Sequence, residues 1–205
     1  MKPILFNTDM VKAILAGKKT VTRRVIKPQP KSPVVCSLGV WQETIPCANG
    51  VRVFPPPYRP GDILYVRETW AFDTGDDGDE IGTGYFVYKA DDLNHPDCKW
   101  RPSIHMPKTA ARIFLLVKDV RVERLQDITY EDCKREGIWD DYKTHSPQYH
   151  ENLARRAYPV VFAGLWDDTI KPADRATYGW DANPWVWVIE FERCASPWAE
   201  KEAAK

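Results

Sequence analysis

The apolar residues of this chain fall in short alternating runs rather than long helical stripes, and that pattern limits the possible folds more than any other feature. Trp185–Glu192 opens as Trp-Val-Trp-Val, a period of two that sends alternate side chains to opposite faces of a strand. Thr20–Ile26, Ile63–Glu68, Tyr85–Lys89 and Ala111–Val122 read the same way, the last containing the apolar run Ile113–Val117, and Pro3–Phe6 reads as a short apolar strand. The connections between these runs are irregular. Seventeen prolines punctuate the chain, and residues 27–60, ending in Pro55-Pro56-Pro57, are expected to form one long loop. Asp73–Gly84 is acidic and glycine-rich, the composition of a solvated loop.

Helical signals are fewer. Thr8 offers an N-cap before Val11, Ile14 and Leu15, which share a helical face, and Gly17 supplies the stop. Thr129–Glu136 opens with a capping-box pair, Thr129 and Asp132, and a hydrophobic staple, Ile128 and Cys133, and is closed by Gly137. A third helix is expected over roughly 148–170, interrupted near Pro159. Strands with irregular connections and two or three peripheral helices predict an α+β, mostly β fold, a small mixed barrel rather than a parallel sheet. Without βαβ spacing or a glycine-rich phosphate loop, nucleotide-triphosphate chemistry is not expected. At 205 residues the chain can bury one substantial core. A single domain is expected over 1–198, with insertions around 27–60, 73–108 and 138–182 and a charged tail at 199–205.

The 29 basic residues equal the 29 acidic ones, so any anionic partner must be met by a local patch rather than by the global field. The five cysteines are odd in number, scattered and without a C-x-x-C pair, the start lacks a long apolar segment, and no run approaches membrane-spanning length. These features predict a cytoplasmic chain with reduced thiols and no membrane partner. His95 and Cys98 have metal-like spacing, but two ligands do not make a zinc site, and neither metal nor cofactor is expected. No obligate protein partner is predicted. Nine tryptophans can serve a core or stack on bases.

Three stretches carry chemistry. In Gly17-Lys18-Lys19-Thr20-Val21-Thr22-Arg23-Arg24, four cations crowd the junction of a helix and a strand, which disfavours the charged form of any one lysine. The arginines keep their charge and suit phosphate or carbonyl oxygens, and Thr22 adds a hydroxyl; a solvated basic strand edge is the alternative. Glu136 falls in the last turn of its helix, where the macrodipole disfavours an anion by roughly 0.3–1 kcal/mol. Either Lys134 and Arg135 satisfy it, or it is a carboxylate aimed into a pocket and suited to acid–base work. In Ile63–Glu68 the alternation sends Leu64, Val66 and Glu68 inward and Tyr65 and Arg67 outward, ahead of Trp70. An inward Glu68 needs a partner, for which a lysine of the first cluster is the candidate.

Taken together these stretches resemble the ASCH family of the PUA-like superfamily. Its signature is a glycine–basic–lysine–threonine segment after the first helix, a Gly-Asp strand, here Gly61-Asp62-Ile63-Leu64-Tyr65-Val66, and a helix ending in Glu, here Glu131-Asp132-Cys133-Lys134-Arg135-Glu136-Gly137. Trp100–Lys108 and Asn183–Val188 resemble longer, phage-associated members. The resemblance implies a PUA-like barrel with a central cleft. It also implies one of two activities, RNA binding or hydrolysis of the exocyclic amide of N4-acetylcytidine by a Lys, a Thr and a Glu. By motif these are Lys19, Thr22 and Glu136, with Lys18, Arg23, Arg24, Tyr65, Glu68 and Trp70 as substrate-binding candidates. The leading expectation is an N4-acylcytidine amidohydrolase acting on a modified cytidine nucleoside or RNA. A non-catalytic RNA-binding module, or an RNA-cleaving one using Lys19 and Glu136, is the alternative. Lys19 and Thr22 lie three apart, so they share a site only if the Gly17–Thr20 turn redirects Lys19.

Overall fold

A computed structural model describes residues 1–45, 50–73, 84–91, 99–138 and 147–197. The fold is mixed α+β and mostly sheet, as expected. The His95–Cys98 spacing and the 199–205 tail lie outside the described residues, as does most of Asp73–Gly84. The chain divides into two compact units: one of Met1–Gly17, Gly61–Val117 and Glu192–Lys205, the other of Lys18–Pro60 and Lys118–Phe191.

In the first unit β1 (Lys2–Leu5) pairs in parallel with β5 (Ile63–Arg67), Ile4 opposite Val66. The latter pairs antiparallel with the start of β8 (Phe114–Arg124), Leu64 opposite Leu115. Ile4, Leu64, Val66 and Leu115 are all buried, as the period-two pattern requires. Helix α1 (Thr8–Leu15) buries Val11 and Ile14 and ends at Gly17, whose φ of 70° a side chain would resist. Its N-cap is Asn7, not Thr8: the Asn7 side chain accepts from Met10 N–H at 2.9 Å. A second ladder, β6 (Trp70–Asp73) with β7 (Tyr85–Tyr88), carries an apolar cluster of Trp70, Met106, Ala110, Ala111 and Phe114.

In the second unit β2 (Val21–Val25) pairs antiparallel with β9 (Trp185–Cys194), Arg24 opposite Trp187 and Thr22 opposite Ile189, and β9 also neighbours β8. Residues 27–60, expected as loop, hold a hairpin instead: β3 (Val34–Ser37) against β4 (Val40–Glu43). Its two-residue turn, Leu38-Gly39, has positive φ at both positions (49° and 77°). This backbone matches the twist of paired strands, but the Leu side chain hides the signal that Asn-Gly would have given. Helix α2 (Tyr130–Arg135) has the full capping box, Thr129 Oγ1 accepting from Asp132 N–H. Helix α3 (Pro147–Thr169) runs through Pro159 without the expected interruption. Tyr158, Phe162 and Trp166, one turn apart on α3, pack with Val21, Cys133, Val186 and Val188. That burial outweighs the backbone bond Pro159 removes.

Candidate functional site

The second unit joins the end of α2 to the start of β2. A helix ends with orphan carbonyls, and here two of them find donors upstream in sequence. Thr20 N–H donates to Arg135 O at 2.8 Å, and the Lys19 ammonium donates to Glu136 O at 2.8 Å. Lys19 Nζ also donates to Val21 O at 2.9 Å and to Glu136 Oε2 at 2.7 Å. An ammonium has three N–H groups, and all three are thereby engaged. The Lys19 side chain is wholly buried although Lys18 beside it is exposed. Glu136 is the C-cap of α2, and Lys19, not Lys134 or Arg135, supplies the cation that its place against the macrodipole demands.

Arg23 completes the grip on Glu136, its Nη1 lying 3.1 Å from Glu136 Oε1. Its Nη2 meets Glu123 Oε2 at 3.2 Å and Asp132 Oδ2 at 3.3 Å. The guanidinium is fully buried among three carboxylates, and its Nε finds no acceptor among the described residues. Arg23 is thus a clamp on Glu136. Arg121 extends the network, donating to Glu123 at 2.6 Å, and Arg135 meets Glu190 at 2.5 Å. Burial lowers the Lys19 pKa; Glu136 opposes this, while Arg24 and Arg23 reinforce it. Asp132 is pushed up by burial, but Arg23 and the Thr129 bonds prevail and hold it below the usual carboxylate range. Burial raises the Cys133 thiol to about 12 and leaves it inert.

Alternation along β2 divides the remaining residues. Val21 belongs to the helical core and Val25 packs against it, on the same face as Arg23. Thr22 and Arg24 therefore project to the opposite face. No hydrogen bond joins Thr22 to Lys19 or Glu136 among those described, whereas the Lys19–Glu136 pair and Arg24 lie within electrostatic reach of one another. Burial lowers the Arg24 pKa, and Tyr58 and Glu136 oppose it. On β9, Val186 and Val188 enter the helical core, so Trp187 faces the Thr22–Arg24 side, where Trp41 meets it edge-on at 5.4 Å. Trp41, Tyr58 and Trp187 were not singled out from sequence. The Trp-Val alternation, which divides Trp187 from its valine neighbours, was the available signal.

The other candidates belong to the first unit. Glu68 is buried, and its partner is Arg112 rather than a lysine of the first cluster: Nε and Nη2 of Arg112 each lie 3.0 Å from a Glu68 oxygen. Burial raises the Glu68 pKa despite Arg112. The same guanidinium meets Asp91 at 2.8 Å and stacks 3.9 Å from the centre of the Tyr88 ring. Trp70 is only 5% exposed, edge-on to Phe86 and covered by Arg101, which makes it a core aromatic. Tyr65 packs against the same cluster.

Among the described residues no group of three or more His, Cys, Asp or Glu could hold a metal ion, and no helix is long and apolar enough to cross a membrane. No family model, no curated protein and no solved structure matches this chain.

Proposed function

We propose that the second unit carries a hydrolytic site for N4-acylated cytosine nucleosides, in a chain of the ASCH type with a PUA-like barrel. The observation that carries the reading is the Lys19–Glu136 contact: a wholly buried amine 2.7 Å from a carboxylate 117 positions away. The ASCH-like segments quoted above supply the same two residues independently of the geometry.

Resting Lys19 is an ammonium with every N–H engaged and has no lone pair to offer. Transfer of one proton to Glu136 Oε2, along the existing hydrogen bond, makes a neutral amine and a neutral carboxyl. Burial disfavours the charged amine and so favours that direction, while the Arg23 contact to Glu136 Oε1 opposes it. The amine then either attacks the acyl carbon itself, its surplus proton passing back to Glu136 once N4 has been protonated, or takes the hydroxyl proton of Thr22 as Thr22 attacks. Arg24, on the Thr22 face of β2, suits the developing oxyanion. Glu136 returns its proton to N4 as the C–N bond breaks, releasing cytidine. Water then hydrolyses the acyl-enzyme to the free carboxylic acid and restores the pair. Trp41, half-buried and edge-on to the core residue Trp187, offers an apolar face for the base.

The test is incubation with N4-acetylcytidine, followed by loss of its ultraviolet signature and appearance of cytidine. Wild-type turnover that vanishes in Glu136→Gln, while that variant stays folded, supports the reading. An inert wild type refutes it.

A second reading, a non-catalytic RNA-binding module, is favoured by one specific feature. Lys19 makes three hydrogen bonds and Arg23 meets three carboxylates, the pattern of groups that hold a helix end to a strand. On that reading Arg24 and the exposed Lys18 contact RNA and the buried pair is architectural.

A further inference from the structure

The segment Lys99–Arg112 carries four cations and His105 but no carboxylate, in a chain whose basic and acidic residues are equal in number. A bias of this kind makes a local positive patch when the side chains share one surface. Arg112 does not contribute, because Glu68 and Asp91 hold it. Lys99, Arg101 and Lys108 are exposed.

The segment is fixed to the sheets of the first unit. Arg101 N–H donates to Trp70 O at 2.7 Å and Trp70 N–H to Arg101 O at 3.2 Å, a single bridge onto β6. Beyond it the 3-10 turn Ser103–His105 is anchored by Met106, which is 1% exposed and whose sulfur accepts from Glu68 N–H at 3.2 Å. Arg67, at the end of β5, adds a further cation: its Nε donates to Met106 O at 2.9 Å and its Nη2 to Ile104 O. Those acceptors are neutral, so the charge of Arg67 is not cancelled. Among the described residues no carboxylate lies within ion-pair reach of Arg67, Lys99 or Arg101. Rings hold two of the long side chains: Arg101 lies 5.2 Å from the centre of the Trp70 ring, and the Lys108 ammonium 5.9 Å from that of Tyr65. Tyr65 and Arg67 share one face of β5, about 7 Å apart, and Tyr65 packs in the same cluster as Trp70. Lys108, Arg67 and Arg101 thus form a row of cations on a rigid support, which lose little freedom on meeting an anion.

We propose that this row is a contact for the phosphodiester backbone of a single-stranded nucleic acid, held without reading its bases. Guanidinium forks suit phosphate oxygens. The Trp70 and Tyr65 rings lie beneath cations, so they position charge rather than stack on bases. One row of cations serves one strand, whereas a duplex presents two rows of phosphates. Ile104, 59% exposed, is the aliphatic side chain between the cations, far short of the apolar face that a membrane surface requires. Nothing in this surface depends on the reaction at Lys19 and Glu136.

The experiment is fluorescence anisotropy of a labelled RNA strand of about 12 nucleotides, titrated with the full chain at about 50 to 200 mM salt. Wild type should bind with a Kd on the order of 10 µM at the lowest salt, with log affinity falling against log salt at a slope of about −2 or steeper, as three contacts to a single strand imply. Arg101→Glu and Lys108→Glu should each weaken binding at least about tenfold. Arg101→Gln and Lys108→Gln combined in one chain should flatten the slope by about 1.4, and this pair keeps the test open where circular dichroism shows that a charge reversal unfolds. Lys171→Glu makes the same charge change in the second unit and should leave the affinity within about twofold. Strand binding is read without turnover, so a wild type inert toward N4-acetylcytidine leaves this test standing. A wild type that binds no strand, reversals that bind like wild type, or a loss equalled by Lys171→Glu overturns the proposal. So does capture of phosphatidylserine vesicles, or of the matching duplex, in preference to the strand.

Discussion

The Lys19–Glu136 pair behaves differently from what a list of catalytic residues suggests, because each partner also stabilises the other's burial. Glu136→Gln leaves the Lys19 ammonium and the Arg23 guanidinium buried with their shared carboxylate gone. Loss of one partner of a buried pair costs about 3–5 kcal/mol, and a denaturant midpoint should fall accordingly. Lys19→Met, which fills the space without a charge, should cost less, because Glu136 retains Arg23. An activity assay on Lys19 or Glu136 variants therefore requires a parallel stability measurement. Asp132 gives the pH dependence. Its folded pKa lies below the unfolded value of about 3.9, so its contribution is fully present above that value and is lost as pH falls through the lower folded pKa. Wild type should lead Asp132→Asn by about 1 kcal/mol or more at pH 7, from the capping box and the Arg23 contact. Thermal unfolding from pH 7 to pH 2 should show that lead shrinking below about pH 4.

At the level of elements, sequence signals worked where local chemistry decided the outcome and failed where a distant partner did. The capping box, the staple and the Gly137 stop fixed α2 in advance because each lies within one helical turn of its partner. Glu136 was legible as an anion needing a cation, yet the cation lies 117 positions away and no spacing rule reaches it. Glu68 failed in the same way: an inward carboxylate was legible, but Arg112, on a later segment, was not. Continuity of α3 through Pro159 reflects tertiary burial overriding propensity. The β3–β4 hairpin was missed because leucine occupies a turn position with φ of 49°. Leu38 is fully exposed and gains nothing from packing. Leu38→Asn, which tolerates that conformation, should raise stability by about 0.5–1 kcal/mol without changing the denaturant m-value.

For the molecule as a whole, the balance of 29 basic and 29 acidic residues separates the two functional readings. A neutral nucleoside gains nothing from long-range steering and releases no counterions on binding. If the substrate is a free N4-acylcytidine, KM should stay within about twofold between 50 and 500 mM salt, because no phosphate contact is lost. RNA held by Lys18 and Arg24 would behave otherwise. Each phosphate contact to a single strand contributes a slope of about −0.7 in log affinity against log salt, so Lys18→Ala and Arg24→Ala should each flatten the dependence by about that amount. The buried charges take no part in either slope. Lys19 and Arg23 are already neutralised by Glu136, Glu123 and Asp132, so they have no condensed counterions to exchange. Arg23→Met should therefore alter stability while leaving the salt slope where it was, whichever ligand is bound. A salt slope that changes with Arg23→Met in a folded variant would mean that the guanidinium meets the ligand directly, contrary to its enclosure by three carboxylates.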